Sequence, residues 1–366
     1  MNSYIKNLLS QKVAGYVHDE IKNISKYELF NMGESFIAPS KKIKQGLSEF
    51  DPKKLSAYLD PTYKEIRQII AKKLNVDLKN ILLSVGADEA IGIIPRAFSE
   101  PGSNSVFAVP TFYRIVEANI MFKINVHLVG LEEKNKFKYD KKFIDKFIQE
   151  INNKKARTAW ICNPNNPTGN VLTQKQIKQI LDNISSESIL IIDEVFFDFF
   201  DPTGKNSAVN LVKKYKNLIV IRSLSKSYSL AGIRLGFVVA DEHLIENINH
   251  IKPVFNINAL SEEVAKIALG DRSYISQVAK KTKLIRKKLI SEIGKMKNYK
   301  IGGNSETNVV ILKHVSKDIY EELKKRFVLT ADFRKSLGLE DLGYVRITVQ
   351  DEKKNRKLLS ALEQID

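Results

Sequence analysis

The chain has 366 residues, more than one hydrophobic core usually supports, so two packed units are expected. Its 43% hydrophobic and 28% charged residues are those of a globular chain and exclude a disordered or collagen-like one. Lysine and arginine outnumber aspartate and glutamate by 59 to 42, and the single cysteine excludes an internal disulfide or a cysteine-based zinc cluster.

The basic residues are spread through helical patterns such as 281–288 and 295–300 and form no compact arm. A solvated face is therefore expected, with steering of phosphorylated ligands as the next use of the charge, and no nucleic-acid partner. The start, MNSYIKNLLSQKVAGYVHDE, lacks the apolar core of a signal peptide, and no apolar run reaches spanning length. A cytoplasmic protein with no membrane partner and no metal site is expected.

Residues 1 to about 30 carry helix-like spacing that ends in a strand-like stretch at 27–30, read as an arm. The polar segment NMGESFIAPS follows, and YLDPTY at 58–63 is a proline turn before an amphipathic helix over 63–74. Apolar runs at 81–85, 105–109, 158–162, 189–192, 218–221 and 235–240 then alternate with helical patterns. That alternation predicts an α/β fold with a mainly parallel sheet covered by helices. A lysine-rich helical stretch over 261–297, broken near Gly270, precedes strands at 308–312 and 344–349 of a smaller α+β unit. The expected division is 1–40 as arm and part of the small domain, 41–250 as the large domain, and 251–366 as the rest of the small domain.

Five of the apolar runs end in loops that can carry chemistry. SLSK delivers Lys226 at the end of a buried run, with Ser223 and Ser225 beside it and Arg234 eight residues on. A lysine there suits a Schiff base with a carbonyl cofactor, while hydroxyls and a guanidinium suit an anion. Asp193 emerges from SILII, where a desolvated carboxylate must be paired to stay charged. Asn166 sits in NPNNPTG, a turn dense in proline, and offers an amide to a ligand oxygen. Ala87 and Asp88 open a helix whose free N–H groups favour an anion. Phe112 and Tyr113 offer a flat face for a ring. Each has a plainer reading alone: a solvated lysine, a capping aspartate, a structural turn, core aromatics. Together they describe a pyridine ring with an aldehyde and a phosphate, which is pyridoxal 5′-phosphate.

The spaced set GADEAI, PTF, NPNNPTG, DE, SLSK and Arg234 resembles the fold-type I pyridoxal-phosphate enzymes, and within them the histidinol-phosphate aminotransferases, from about Asn31 to the C-terminus. The resemblance implies the PLP-dependent transferase fold, with a seven-stranded, mainly parallel sheet, a small domain built from both termini, and a homodimer. It implies that Lys226 carries the cofactor and then moves protons, that Asp193 holds the ring nitrogen, and that Asn166 bonds the ring oxygen. Ala87, Asp88, Ser223, Ser225 and Arg234 would hold the phosphate, with Tyr58 entering from the other subunit. Phe112 would stack on the ring and Arg346 in YVRITV would clamp the substrate's anion.

Phe196 stands where the family carries a tyrosine, and Gly33-Glu34-Ser35-Phe36-Ile37-Ala38 stands where it carries Asn-Glu-Asn-Pro-Tyr-Gly. With Glu34 on the substrate side and Arg334 as a second clamp, these departures favour a small phosphorylated amine or ketone, with an amino donor, over histidinol phosphate itself. A decarboxylase of phosphorylated amino acids, which shares the phenylalanine, is the alternative; a basic binding module is the remote one.

Overall fold

The computed structural model describes residues 23–366. The helix-like spacing expected before residue 23 lies outside the described residues, while the end of that arm is strand β1 (Glu28–Phe30). The large sheet has seven strands in the order β2-β8-β7-β6-β5-β3-β4. These are β2 (Ile81–Ser84), β3 (Asn104–Val109), β4 (Asn125–Gly130), β5 (Thr158–Cys162), β6 (Ile189–Asp193), β7 (Leu218–Ser223) and β8 (Gly236–Ala240). Strands β4, β3, β5, β6 and β7 run parallel, and β8 lies antiparallel between β7 and β2.

Helices cover both faces, so every residue of β5, β6 and β7 is buried and the strands read as unbroken apolar runs. Ile91, Val116 and Ile245 close one face. Ile70, Phe147 and Ile177 close the other. Each fully buried isoleucine contributes roughly 1.5–3 kcal/mol by leaving water. The sequence reading missed β4 because this edge strand is half exposed and NVHLVG carries no apolar run.

The second sheet has five strands in the order β1-β11-β12-β10-β9, with β9 (Tyr299–Gly302), β10 (Val309–His314), β11 (Val328–Asp332) and β12 (Val345–Thr348). Strand β1 pairs in parallel with β11, which carries the segment after Phe30 across the mouth of the large sheet. Strands β9 and β11 went unread, being short and flanked by lysines.

The stretch expected to be helical over 261–297 forms two helices, Ala259–Gly270 and Arg272–Ile293. Val264, Ala265 and Leu269 of the first pack into the core of the large sheet, as do Tyr274, Ile275 and Val278 of the second. Only the later turns, with Ile285, Leu289 and Ile293, join the small sheet's core. The packing therefore changes from large to small sheet inside one helix, well beyond residue 250. No helix among the described residues is long and apolar enough to cross a membrane.

Candidate active site

Strand register assembles the site. Cys162, Asp193 and Ile221 are neighbours across β5, β6 and β7, so the loops that follow these strands open side by side. In an open α/β sheet this carboxyl end is where ligands bind.

Asp193 is buried at the last position of β6. Its Oδ1 accepts the Val195 N–H at 2.9 Å, and its Oδ2 accepts the Cys162 thiol at 3.6 Å. Among the described residues no lysine or arginine forms an ion pair with it, and burial pushes its carboxyl up to about 6. A buried carboxylate held only by neutral donors fits a protonated ring nitrogen, because that cation would restore the charged form. Cys162, whose thiol is itself pushed up by burial, remains a protonated donor. The sequence reading used this cysteine only to exclude disulfides; its register opposite Asp193 was the signal for its contact.

The helix Gly86–Phe98 begins directly after β2, and its first N–H groups have no partner within the helix. Gly86 has φ +65°, and a Cβ there would lie 2.6 Å from Arg234 Nη2, so the glycine lets the guanidinium sit over the helix start. Gly236 matters in the same way, since a Cβ would lie 2.8 Å from the Ala87 nitrogen. Ser223 Oγ donates to Ser225 Oγ at 3.0 Å, and Arg234 Nη1 donates to Ser225 Oγ at 3.5 Å. Helix start, two hydroxyls and a guanidinium thus form a cradle that fits a phosphate. Asp88 departs from the expectation in one respect. Its carboxylate bonds Arg114 Nε at 3.0 Å, which leaves the backbone N–H as its contribution to the cradle.

NPNNPTG is stitched down by its own amides. Asn163 exchanges bonds with Leu172 at 2.9 and 2.8 Å, and Asn165 Nδ2 donates to the Pro110 carbonyl at 3.0 Å. The same turn places Asn166, whose Oδ1 accepts Arg346 Nη1 at 2.7 Å. That bond fixes the amide orientation and leaves its NH2 side for a ligand oxygen. Phe112 is half-buried, edge-on to Tyr113 with ring centroids 5.2 Å apart.

Lys226 Nζ donates to the Met32 carbonyl at 2.9 Å and lies 5.8 Å from the Phe196 ring centre. Arg346 is almost fully buried; it donates to the Asn31 carbonyl at 2.5 Å and stands 5.3 Å over the Phe333 ring. Lysine and arginine converge beside Gly33, where a Cβ would lie 3.6 Å from Lys226 Nζ, 3.6 Å from Arg346 Nη2 and 3.5 Å from Phe196 Cζ. Gly33 itself is anchored through its N–H to Thr348 Oγ1 at 2.9 Å, and Asn308 Nδ2 holds the Gly33 and Glu34 carbonyls at 3.1 Å each. Asn31, Met32, Asn308 and Thr348 had no signal in the sequence: the first two contribute backbone carbonyls, and the side chains of the other two act only on the backbone of the Gly33 segment, which the departure at 33–38 had marked.

Three expected site residues lie elsewhere in this chain. Arg334 is held by Asp332 at 2.9 and 2.8 Å, by Glu321 at 3.4 Å and by Asp318, and stacks 4.5 Å over Tyr320. Three carboxylates satisfy its guanidinium, which corrects its assignment as a second substrate clamp. The Glu34 side chain is exposed to solvent and only its carbonyl is engaged. Tyr58 is 83% exposed and stacks on Phe255 at 4.5 Å, outside the cluster of its own chain.

The chain is similar to known proteins over nearly its whole length. Residues 25–362 match the family model described as aminotransferase class I and II. A histidinol-phosphate aminotransferase of Thermoanaerobacter sp. (strain X514) is 31% identical over 99% of both chains. The crystal structure of the histidinol-phosphate aminotransferase from Clostridium acetobutylicum superposes with a TM-score of 0.83 at 25% identity, covering 92% of this chain and 98% of that one. The L-threonine-O-3-phosphate decarboxylase of Porphyromonas gingivalis shares the fold, with a TM-score of 0.78 at 24% identity over 92% of this chain and 98% of that one. The chain therefore belongs to the aminotransferase class I and II family and is a pyridoxal-phosphate-dependent aminotransferase of fold type I, resembling the histidinol-phosphate aminotransferases.

Proposed function

We propose that this enzyme moves an amino group between a small phosphorylated amine or amino alcohol of the histidinol-phosphate type and a keto acid. The meeting of Lys226 and Arg346 beside Gly33 carries the reading, because it sets a proton-moving amine near an anion-binding guanidinium. Bound pyridoxal phosphate supplies an aldehyde for attachment to Lys226 and an electron sink for the substrate carbon.

The chain's own groups do the rest. Asp193 keeps the ring nitrogen protonated, and the Asn166 amide holds the ring oxygen. Ser223, Ser225, Arg234 and the N–H groups of Ala87 and Asp88 take the phosphate, while Phe112 covers one ring face. Lys226 Nζ would hold and move the proton that leaves the substrate carbon. Arg346 binds the substrate's anionic group and so orients the bond that must break. A homodimer is part of the reading: Tyr58 and Phe255, with Val254 and Leu55, form an exposed apolar patch suited to a second copy, which would bring Tyr58 to the partner's phosphate.

Purified enzyme loaded with pyridoxal phosphate should consume a keto acid faster with phosphorylated amines and amino alcohols, histidinol phosphate among them, than with unphosphorylated ones, and Lys226→Ala should not. A second reading rests on Phe196, which puts an apolar ring where a hydroxyl would bond the cofactor. Carbon dioxide release from phosphothreonine without keto-acid consumption would establish decarboxylation in place of transfer. Sedimentation at micromolar concentration decides between monomer and dimer.

A further inference from the structure

We propose that Arg222, Glu194, Asp198 and Ser227 form a positioning brace that sets the distance between Asp193 and Lys226, a proposal that rests on the cofactor roles given to those two residues above. Three members sit one peptide from a site residue, and the fourth, Asp198, links them: Glu194 follows Asp193, Arg222 precedes Ser223, and Ser227 follows Lys226. Arg222 and Ser223 are successive residues of β7 and point to opposite faces, so Arg222 meets its partners on the face away from Ser223. There Arg222 Nη1 donates to Glu194 Oε2 at 3.1 Å and Nη2 to Asp198 Oδ1 at 2.5 Å. Ser227 Oγ donates to the other Asp198 oxygen at 3.0 Å. Glu194 is completed by Ser207 Oγ at 2.6 Å and the Ala208 N–H at 2.7 Å.

One buried guanidinium therefore joins the loop after β6, the end of β7 and the turn carrying Lys226. All four members are buried, and the guanidinium lies 5.1 Å over the Phe197 ring. A second cation, Lys73 of helix Lys64–Leu74, stands 5.6 Å over the Tyr228 ring near the same cluster. A fork with two fixed donors holds two carboxylates at a set separation; an ammonium with one flexible stem does not. The neighbouring strand ends inherit that separation.

The test uses the full chain. Hydrogen exchange, measured without added cofactor, compares wild type with Arg222→Met, Arg222→Lys and Asp198→Asn. The brace predicts faster exchange in both 194–198 and 223–228 for Arg222→Met, with 104–109 unchanged and Arg222→Lys in between. After loading with pyridoxal phosphate, kcat should fall on the order of a hundredfold with KM for the donor unchanged. If Arg222→Met fails to fold, Asp198→Asn must show the same coupled loosening at 223–228. Exchange that changes only beside the substituted residue, or an unchanged kcat, overturns the brace. Failure of the functional reading shows separately, as a wild-type protein that takes up no pyridoxal phosphate.

Discussion

The two halves of the site are built by different means. At the carboxyl end of the large sheet, side chains do the holding: Asp193, Asn166, Ser223, Ser225 and Arg234 stand at strand ends or helix starts whose register brings them together. On the side of the small sheet, backbone does it. The Asn31 carbonyl takes Arg346, the Met32 carbonyl takes Lys226, and Gly33 hangs between Thr348 and Asn308. A site made of side chains on buried strands leaves its residue types in the sequence, while one made of carbonyls leaves only a segment. The cofactor half stands on buried strand ends; the substrate half is positioned by a strap that joins β1 to the helix Lys41–Ser48.

Removing the lysine that would carry both the cofactor and the proton should have the largest effect. Lys226→Ala is expected to lower kcat by about 10³-fold or more, since it removes the proton-moving amine, and to abolish the absorption of the lysine-bound cofactor. Arg346→Lys should come next, because it loses both the planar grip on an anion and the bond that orients Asn166. We expect KM for the amino donor to rise on the order of tenfold, with a measurable loss of cofactor affinity. A change in KM alone would mean that the two halves are not joined through Asn166.

Asp193 sharpens the comparison through pH. Its folded-state pKa of about 6 lies above its ordinary 3.8 because burial penalises the charged form. A raised acid makes the folded protein hold the proton more tightly. Stability of the cofactor-free chain should therefore fall as pH rises from about 4 through 6, by roughly 3 kcal/mol in all. Melting curves of wild type against Asp193→Asn should show the difference moving in favour of the variant over that window. Adding pyridoxal phosphate at neutral pH should reverse the difference.

Phe196→Tyr should act more weakly and on one property. A tyrosine hydroxyl near the ring oxygen would stabilise the deprotonated form of the lysine–cofactor link, so its pKa should be lower in the variant than in the wild type. Spectral titration of both proteins measures it, and equal or inverted values would remove Phe196 from the cofactor half.

What the sequence disclosed follows the same division. The buried strands β5, β6 and β7 were legible because parallel strands covered on both faces must be apolar throughout, and their loops carried Asn166, Asp193 and Lys226 by name. The half-exposed edge strand β4 and the short β9 and β11 lacked that pattern. The contact of Cys162 with Asp193 needed the register of two strands that lie about thirty residues apart. The Met32 and Asn31 carbonyls could not be read at all, since every residue has one.

Arg334 is where a residue type and its position disagreed, and it should give the smallest effect. As an arginine between β11 and β12 it fitted a phosphate clamp. In the fold its guanidinium meets Asp332, Glu321 and Asp318, and Asp332 holds it even more firmly protonated than usual. To serve a phosphate it would have to leave three carboxylates, and those would then face the incoming anion and repel it. The network is partly open to solvent, so its loss should cost only about 1 kcal/mol. Arg334→Gln should thus leave KM for a phosphorylated donor within about twofold of wild type, a difference under 0.5 kcal/mol. A tenfold rise in KM, absent for an unphosphorylated donor, would return Arg334 to the substrate half and show that binding reorganises Asp318 and Glu321. If KM holds, the proposed function leaves the anion-binding work on the small-sheet side to Arg346, which is buried and bonded to Asn166 and the Asn31 carbonyl.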